Sequence, residues 1–308
     1  MAIPGKLNIF LAVLAYVVAI FFLWLASHSP MVILLCSAIG FSFIANTIFS
    51  LLHESVHGIF HKDLTKNNLF GCISAAFFPT GFTFQKICHL GHHRRNRTDA
   101  EMFDYYYSHD NKFIKFYRLY GLLTGFYWLV IPMGCLLYLF FKNFYKNKFF
   151  KAKIIKPLGF EPMVNDFIEY PEEKIRLEIV FTIIFQISLF HVLDISILGW
   201  LTCYIAFAIN WCALQYTDHA WSKRDIKNGA WNLKINKTIQ YVFLNYHLHL
   251  AHHQNPKVSW LHLPNFVDFS LNRPSFWKIY LSLWKGPKLT SEPPPGEMDA
   301  ALERQLFE

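Results

Sequence analysis

The chain has 308 residues, of which 54% are hydrophobic, 18% aromatic and only 16% charged, with a formal net charge of +8. Ordinary soluble domains carry about 25% charged residues, so this composition excludes a typical water-soluble globular enzyme and points to a membrane. The cations flank apolar segments and no nucleic-acid motif accompanies them, so the positive balance is read as attraction to anionic lipid headgroups and not to nucleic acid.

In chain order, the charge-free stretches 7–27 and 31–52 are each long enough to cross a hydrocarbon core of about 30 Å as helices. Only His28-Ser29-Pro30 separates them, which predicts a hairpin. The length of the first stretch, and the second span directly behind it, argue against a cleaved signal peptide. Residues 69–84 are apolar but short, and Pro79 and Gly81 break them, so an interfacial or re-entrant segment is expected. Residues 119–141 are long enough to span. A single crossing there would place "HHRRNR" (92–97) and the lysine run 142–156 on opposite faces, against the tendency of basic residues to stay inside. A re-entrant or interfacial hairpin bent at Pro132 is expected instead.

Residues 179–217 contain one formally charged residue, Asp194, which predicts a second hairpin of 179–193 and 195–217, with the first arm extending back past Glu178. "GLLTG" (121–125) fits a small-xxx-small helix contact. Cys36, Cys72, Cys88, Cys135, Cys203 and Cys212 are scattered without a CxxC pair and read as small core residues. From 285 a proline-rich stop and a short acidic end predict a flexible appendage. The expected architecture is an all-α integral membrane domain over 1–284. It has four transmembrane helices in two hairpins, re-entrant or interfacial helices and a cytosolic histidine-rich cap, and the tail 285–308 follows it.

Nine of the fifteen histidines fall into four places: "HESVH" (His53, His57), "HLGHH" (His89, His92, His93), "LQYTDHAW" (His219) and "HLAHH" (His249, His252, His253). Within each box the spacing of three and four puts the rings on one helical face. In the two-hairpin scheme the second and fourth spans run toward the same side, so all four places meet one membrane face. Imidazoles beside apolar spans are costly unless they serve a function. Two metal ions with four or five ligands each need about nine donors; imidazole suits iron, copper, zinc and nickel alike, so the spacing points to metal without naming it. His28, His61, His109, His191, His247 and His262 are read as surface or satisfied core groups. "HESVH" also matches the HExxH of zinc proteases with Glu54 as base, but such a site takes one further ligand and leaves two HxxHH boxes unexplained. A transport role is disfavoured because the histidines sit at one face and do not line the midplane.

The set HxxxH, HxxHH, HxxHH in a four-span chain resembles the membrane fatty acid desaturase family, with its related hydroxylases, ketolases and alkane monooxygenases. The resemblance covers residues 31 to 265 or so. It implies two non-haem irons, with O2 as co-substrate, held by His53, His57, His89, His92, His93, His219, His249, His252 and His253. Family members often carry an Asn, acting through water, four residues before the extra histidine; here Gln215 stands there. The implied reaction introduces a double bond into a long acyl or alkyl chain. The same ligand set serves hydroxylation or oxidative decarboxylation to a terminal alkene.

Among carboxylates near the boxes, Glu54, Asp99, Glu101, Asp104 and above all Asp218 are candidates to orient ligand imidazoles. Arg94, Arg95 and Arg97 either clamp a substrate head group or follow the positive-inside tendency. Turnover requires two electrons. The sequence shows no haem domain and no rubredoxin-like CxxC pairs, so a separate ferredoxin, rubredoxin or cytochrome b5-like donor with its reductase is expected on the basic cap.

Overall fold

In the computed structural model, which describes residues 1–296 together with 298, 303 and 304, Pro30 makes the first turn abrupt. The proline ring sets its φ of −58°, and a ψ of 159° keeps it extended. α1 (Gly5–His28) therefore passes into α2 (Met31–Val56) within two residues. α3 (Leu64–Phe77) starts where the Asp63 carboxylate accepts the N–H groups of Thr65 and Lys66. It stops short of Pro79, and α4 (Phe82–Arg95) begins after Gly81. β1 (Tyr105–Tyr106) precedes α5 (Lys112–Leu123) and α6 (Phe126–Lys146). The short α7 (Lys148–Phe150) runs into a π-helical turn, Lys151–Ile155, and α8 (Glu161–Glu169) follows. α9 (Glu172–Leu193) and α10 (Ile197–Thr217) flank Asp194, which takes the left-handed conformation at φ 49°. α11 (Lys237–Val242), α12 (His249–Gln254), α13 (Phe276–Leu283) and β2 (Lys288–Leu289) complete the described chain.

Among the described residues the chain is all-helical apart from the two-residue parallel pairing of β1 with β2 and two isolated bridges, Asn232 with Leu248 and Lys234 with Ser275. α1, α2, α9 and α10 are each long and apolar enough to cross a bilayer. α9 does begin before Glu178, as expected from the short first arm. α2 is the central helix, packed along α1 and α10. Its last twelve residues, 45–56, are all buried, so it carries side chains into protein on every face. Large apolar side chains remain exposed on α1, α9 and α10, among them Phe10, Val17, Ile184, Val192 and Ile205. In water such a belt would be a liability; against lipid it costs nothing.

Two expectations need correction. Residues 119–141 are not one element bent at Pro132: the break is at Thr124–Gly125, where α5 and α6 meet at 92°. Gly125 has φ +81°, and any Cβ there would strike the Ala208–Ile209 backbone of α10, so glycine alone permits both the turn and the close approach. Pro132 lies inside α6. The beginning of the expected appendage is also docked. Lys288 and Leu289 pair with Tyr105 and Tyr106, and the Glu292 carbonyl accepts from the Tyr107 hydroxyl at 2.8 Å and from Arg224 at 2.6 Å. Most of the tail from 297 onward lies outside the described residues.

Candidate metal centre

Each histidine box sits at a helix end, where tertiary packing is fixed but the chain is free to change direction. His53 lies in the final turn of α2 and His57 caps it. His89, His92 and His93 occupy the last two turns of α4. His219 follows α10 directly. α12 has only six residues, His249–Gln254, and too little length to hold itself. Neighbouring backbone steadies it: Ala251 N–H donates to the Asn232 side chain at 3.0 Å and Leu250 N–H to the Trp231 carbonyl at 3.2 Å.

The nine rings converge in two adjoining groups. His53, His57, His89, His93 and His252 each bring one ligand atom within 4.8 Å of all the others, and His92, His219, His249 and His253 do the same. In the first group the Nε2 atoms form a chain of close approaches: His57–His89 at 2.9 Å, His89–His93 at 3.1 Å, His93–His252 at 3.0 Å and His252–His53 at 3.0 Å. Hydrogen bonds alone do not account for it. A neutral imidazole nitrogen is a donor or an acceptor, never both. Alternating the roles along five rings leaves at least one Nε2 between two acceptors with one proton to give, that of His93 in one arrangement and those of His89 and His252 in the other.

An ion satisfies every lone pair at once. With metal–nitrogen bonds of about 2.1 Å, neighbouring ligands at right angles lie about 3.0 Å apart and tetrahedral ones about 3.4 Å. The first group has the closer spacing and five donors, which fits a five- or six-coordinate ion better than a four-coordinate zinc. In the second group His92 and His219 approach at 3.2 Å through Nε2, and the buried Nε2 of His253 has no partner. The groups touch: the His93 and His253 rings are 4.3 Å apart.

Burial holds His57, His89, His93, His219, His249, His252 and His253 well below the usual imidazole range, the neighbouring rings adding to the effect. They are therefore neutral near pH 7, the form that binds metal. Outer contacts fix several rings. His219 Nδ1 meets the Gly229 carbonyl at 2.8 Å, and His92 Nδ1 lies 3.4 Å from Glu101. His249 Nδ1 faces Asp218 at 3.6 Å. The Asp218 carboxyl is fully buried, and neither oxygen has a hydrogen-bond partner. Burial pushes its pKa well above the ordinary carboxylate value.

A family model described as fatty acid desaturase matches residues 28–269, more than half of the chain. The chain belongs to the fatty acid desaturase family. No curated protein matches it. In this desaturase-family chain the second, third and fourth histidine places join the first exactly where α2 and α10 end together, so the four places share one face of the bundle. None of His28, His61, His109, His191, His247 and His262 enters either group. His247 is buried nonetheless, and burial beside Arg273 brings its pKa down to about 3.

The other candidates separate by geometry. Gln215 accepts from the Tyr246 hydroxyl at 2.9 Å and leaves its buried Nε2 without a partner. Glu54 accepts from the Trp260 N–H at 3.2 Å with both oxygens, so it anchors the segment after α12 to α2. Asp99 pairs with Arg224 at 2.7 Å, and Asp104 with Arg97 at 2.8 Å. Arg97 is 1% exposed and donates in addition to the Tyr216 hydroxyl and the Ser222 carbonyl, so protein acceptors engage both its terminal nitrogens and only its buried Nε is left without a partner. Arg94 and Arg95 both reach Asp166, at 3.2 Å and 2.6 Å; of the three arginines, Arg95 lines the cavity beside the histidines.

One cavity adjoins the imidazoles, and a second lies against its wall. The smaller, about 150 Å³, is lined by His89, His92, His219, Gln215 and Glu101. The larger, about 410 Å³, lies among α6, the π-helical turn and α8, with an almost wholly apolar wall. They share Cys88, Tyr127, Ile131, Phe160 and Met163, so the apolar chamber lies against the wall of the histidine-lined cavity. Sequence reasoning missed Asp166 and the α8 wall, although α8 (Glu161–Glu169) is amphipathic and its period was the available signal. Tyr246 could have been found, being three residues ahead of His249 on a polar stretch.

Proposed function

We propose that the chain is an O2-dependent di-iron oxidoreductase that introduces a double bond into a long acyl or alkyl chain. The observation that carries this reading is the pair of buried imidazole groups, five and four, beside a cavity of about 150 Å³ that shares part of its wall with an apolar chamber of about 410 Å³. His53, His57, His89, His93 and His252 would hold one iron, and His92, His219, His249 and His253 the other. Bound there, the irons supply reduction of O2 and removal of hydrogen from unactivated carbons. In balance, O2, two electrons, two protons and two hydrogen atoms from adjacent carbons give an alkene and two waters.

The chain's own residues set the conditions. Phe160, Met163, Ile131 and Tyr127 form the neck that admits a methylene chain and excludes bulk water. Asp218 faces the His249 Nδ1 at 3.6 Å, and Glu101 meets the His92 Nδ1 at 3.4 Å; a carboxylate on that side favours the tautomer that leaves Nε2 for metal. Gln215, held by Tyr246, presents an amide to the cavity at the place where the family's water-bridged Asn stands. The basic residues flanking the cap support a cytosolic position for the centre. There a ferredoxin, rubredoxin or cytochrome b5-like donor with its reductase would dock.

Metal analysis of the purified full chain, followed by product analysis in a host lacking the activity, tests the reading. Two irons per chain and an alkene product support it. One zinc and no iron would refute it.

A further inference from the structure

Arg118, on α5, is 9% exposed and lines the small cavity beside His92 and His219. Its Nη2 donates to the Ala100 carbonyl at 2.7 Å, and its buried Nε has no partner. The guanidinium lies 4.6 Å over the Phe103 ring. On its other side is Gly159, at φ +79°, where a Cβ would collide with the guanidinium. The nearest carboxylates that act on it are committed elsewhere, Glu101 to His92 and Arg95 and Asp110 to Lys115. The other buried arginines nearby are paired: Arg97 with Asp104, Arg95 with Asp166, Arg224 with Asp99. Burying an unpaired cation costs several kcal/mol, and stacking presets the planar fork for a two-point contact with an oxyanion.

We infer that Arg118 binds the carboxylate of a free long-chain fatty acid, with the alkyl tail in the α6–α8 chamber and the carboxyl-proximal carbons beside the two imidazole groups. This rests on the function proposed above and narrows it. The proximity follows from the loop between α4 and α5. Ala100 holds Arg118 and the next residue, Glu101, meets His92, so guanidinium and imidazole face one cavity of about 150 Å³. That space accommodates a carboxylate and a few methylenes. A nucleotide-sized head group is too large for it. The oxidation balance is the one already given, applied to carbons next to the carboxyl end.

The test compares hexadecanoic acid, its methyl ester, hexadecanoyl-CoA and hexadecanol as ligands of the purified full chain in detergent, at a pH that ionises the acid. Wild type is expected to bind the acid at least about tenfold tighter than the alcohol, as a charged hydrogen bond warrants. Arg118→Met should abolish that preference while leaving alcohol binding within about twofold, and Arg118→Lys should keep part of it. Equal binding of acid and alcohol by wild type, retention of the preference in Arg118→Met, or tighter binding of the ester or the CoA thioester than of the acid would each overturn the inference. If Arg118→Met fails to fold by circular dichroism, the wild-type ligand series decides alone. Product analysis adds a second arm: oxidation within the first few carbons is expected, and a mid-chain double bond would overturn the placement. Binding does not require iron, so an iron-free protein would sink the proposed function and leave the ligand preference standing.

Discussion

The Nε2 atoms of His53 and His252, 199 positions apart in the chain, lie 3.0 Å from each other. One belongs to the last turn of the most buried span and the other to a six-residue helix that other segments hold in place. That approach ties the carboxyl end of α2 to the cap, and the chemistry depends on it.

Removing a ring from either group should empty its position. His252→Ala is expected to lower bound iron from two per chain to about one, as is His219→Ala in the other group, with activity falling by more than the 10- to 100-fold typical of outer-shell changes. His191→Ala, on an exposed ring outside both groups, should change neither. Metal analysis with turnover measurement checks all three.

Asp218 should act through His249. Asp218→Asn keeps the shape and removes the negative charge, so iron affinity should weaken by about 10- to 100-fold, read by competition with a chelator. Without metal the sign reverses. Burial raises the folded-state pKa of Asp218, so its carboxyl costs stability increasingly as pH rises above the ordinary carboxylate range. Metal-free Asp218→Asn should then melt above wild type at pH 8 or so, with the gap closing in acid.

The imidazoles give the opposite pH dependence. Burial depresses their folded-state pKa values below the ordinary 6.5, while the unfolded chain titrates normally. More protons bind the unfolded state in acid, so stability is lost as pH falls through and below that value. Thermal unfolding of chelated protein in detergent should show a lower melting temperature at about pH 5.5 than at about pH 7.5, and iron should shrink the difference.

Arg97 is a structural bolt. Its guanidinium and the Asp104 carboxylate are both fully buried, and the Tyr216 hydroxyl touches each. The trio joins the loop after α4 to the end of α10. Arg97→Met strands a buried carboxylate and should cost about 3–5 kcal/mol, seen as a large fall in melting temperature. Tyr216→Phe should cost less, about 1–3 kcal/mol.

The chamber should measure chain length. Ile155, buried in the π-helical turn, lines it. Ile155→Trp adds bulk there, so preference should move to shorter chains with the iron content unchanged. Competition between substrates of different length reads the shift; an unmoved preference would place the tail elsewhere.

The primary sequence by itself determined the spans, the membrane setting and the identity of the histidines, because hydrophobic length and box spacing are local quantities. Even the extension of α9 past Glu178 was legible in that way. Tertiary structure decided the rest. How the nine rings divide into groups of five and four, whether Arg97 faces a ligand or Asp104, and whether a glycine or a proline bends residues 119–141 depend on which distant backbone lies alongside. At Gly125 the deciding neighbour is α10, some eighty residues further along the chain, and no local pattern encodes its distance. The same holds for Asp218, whose effect comes from its burial and from what it leaves unpaired.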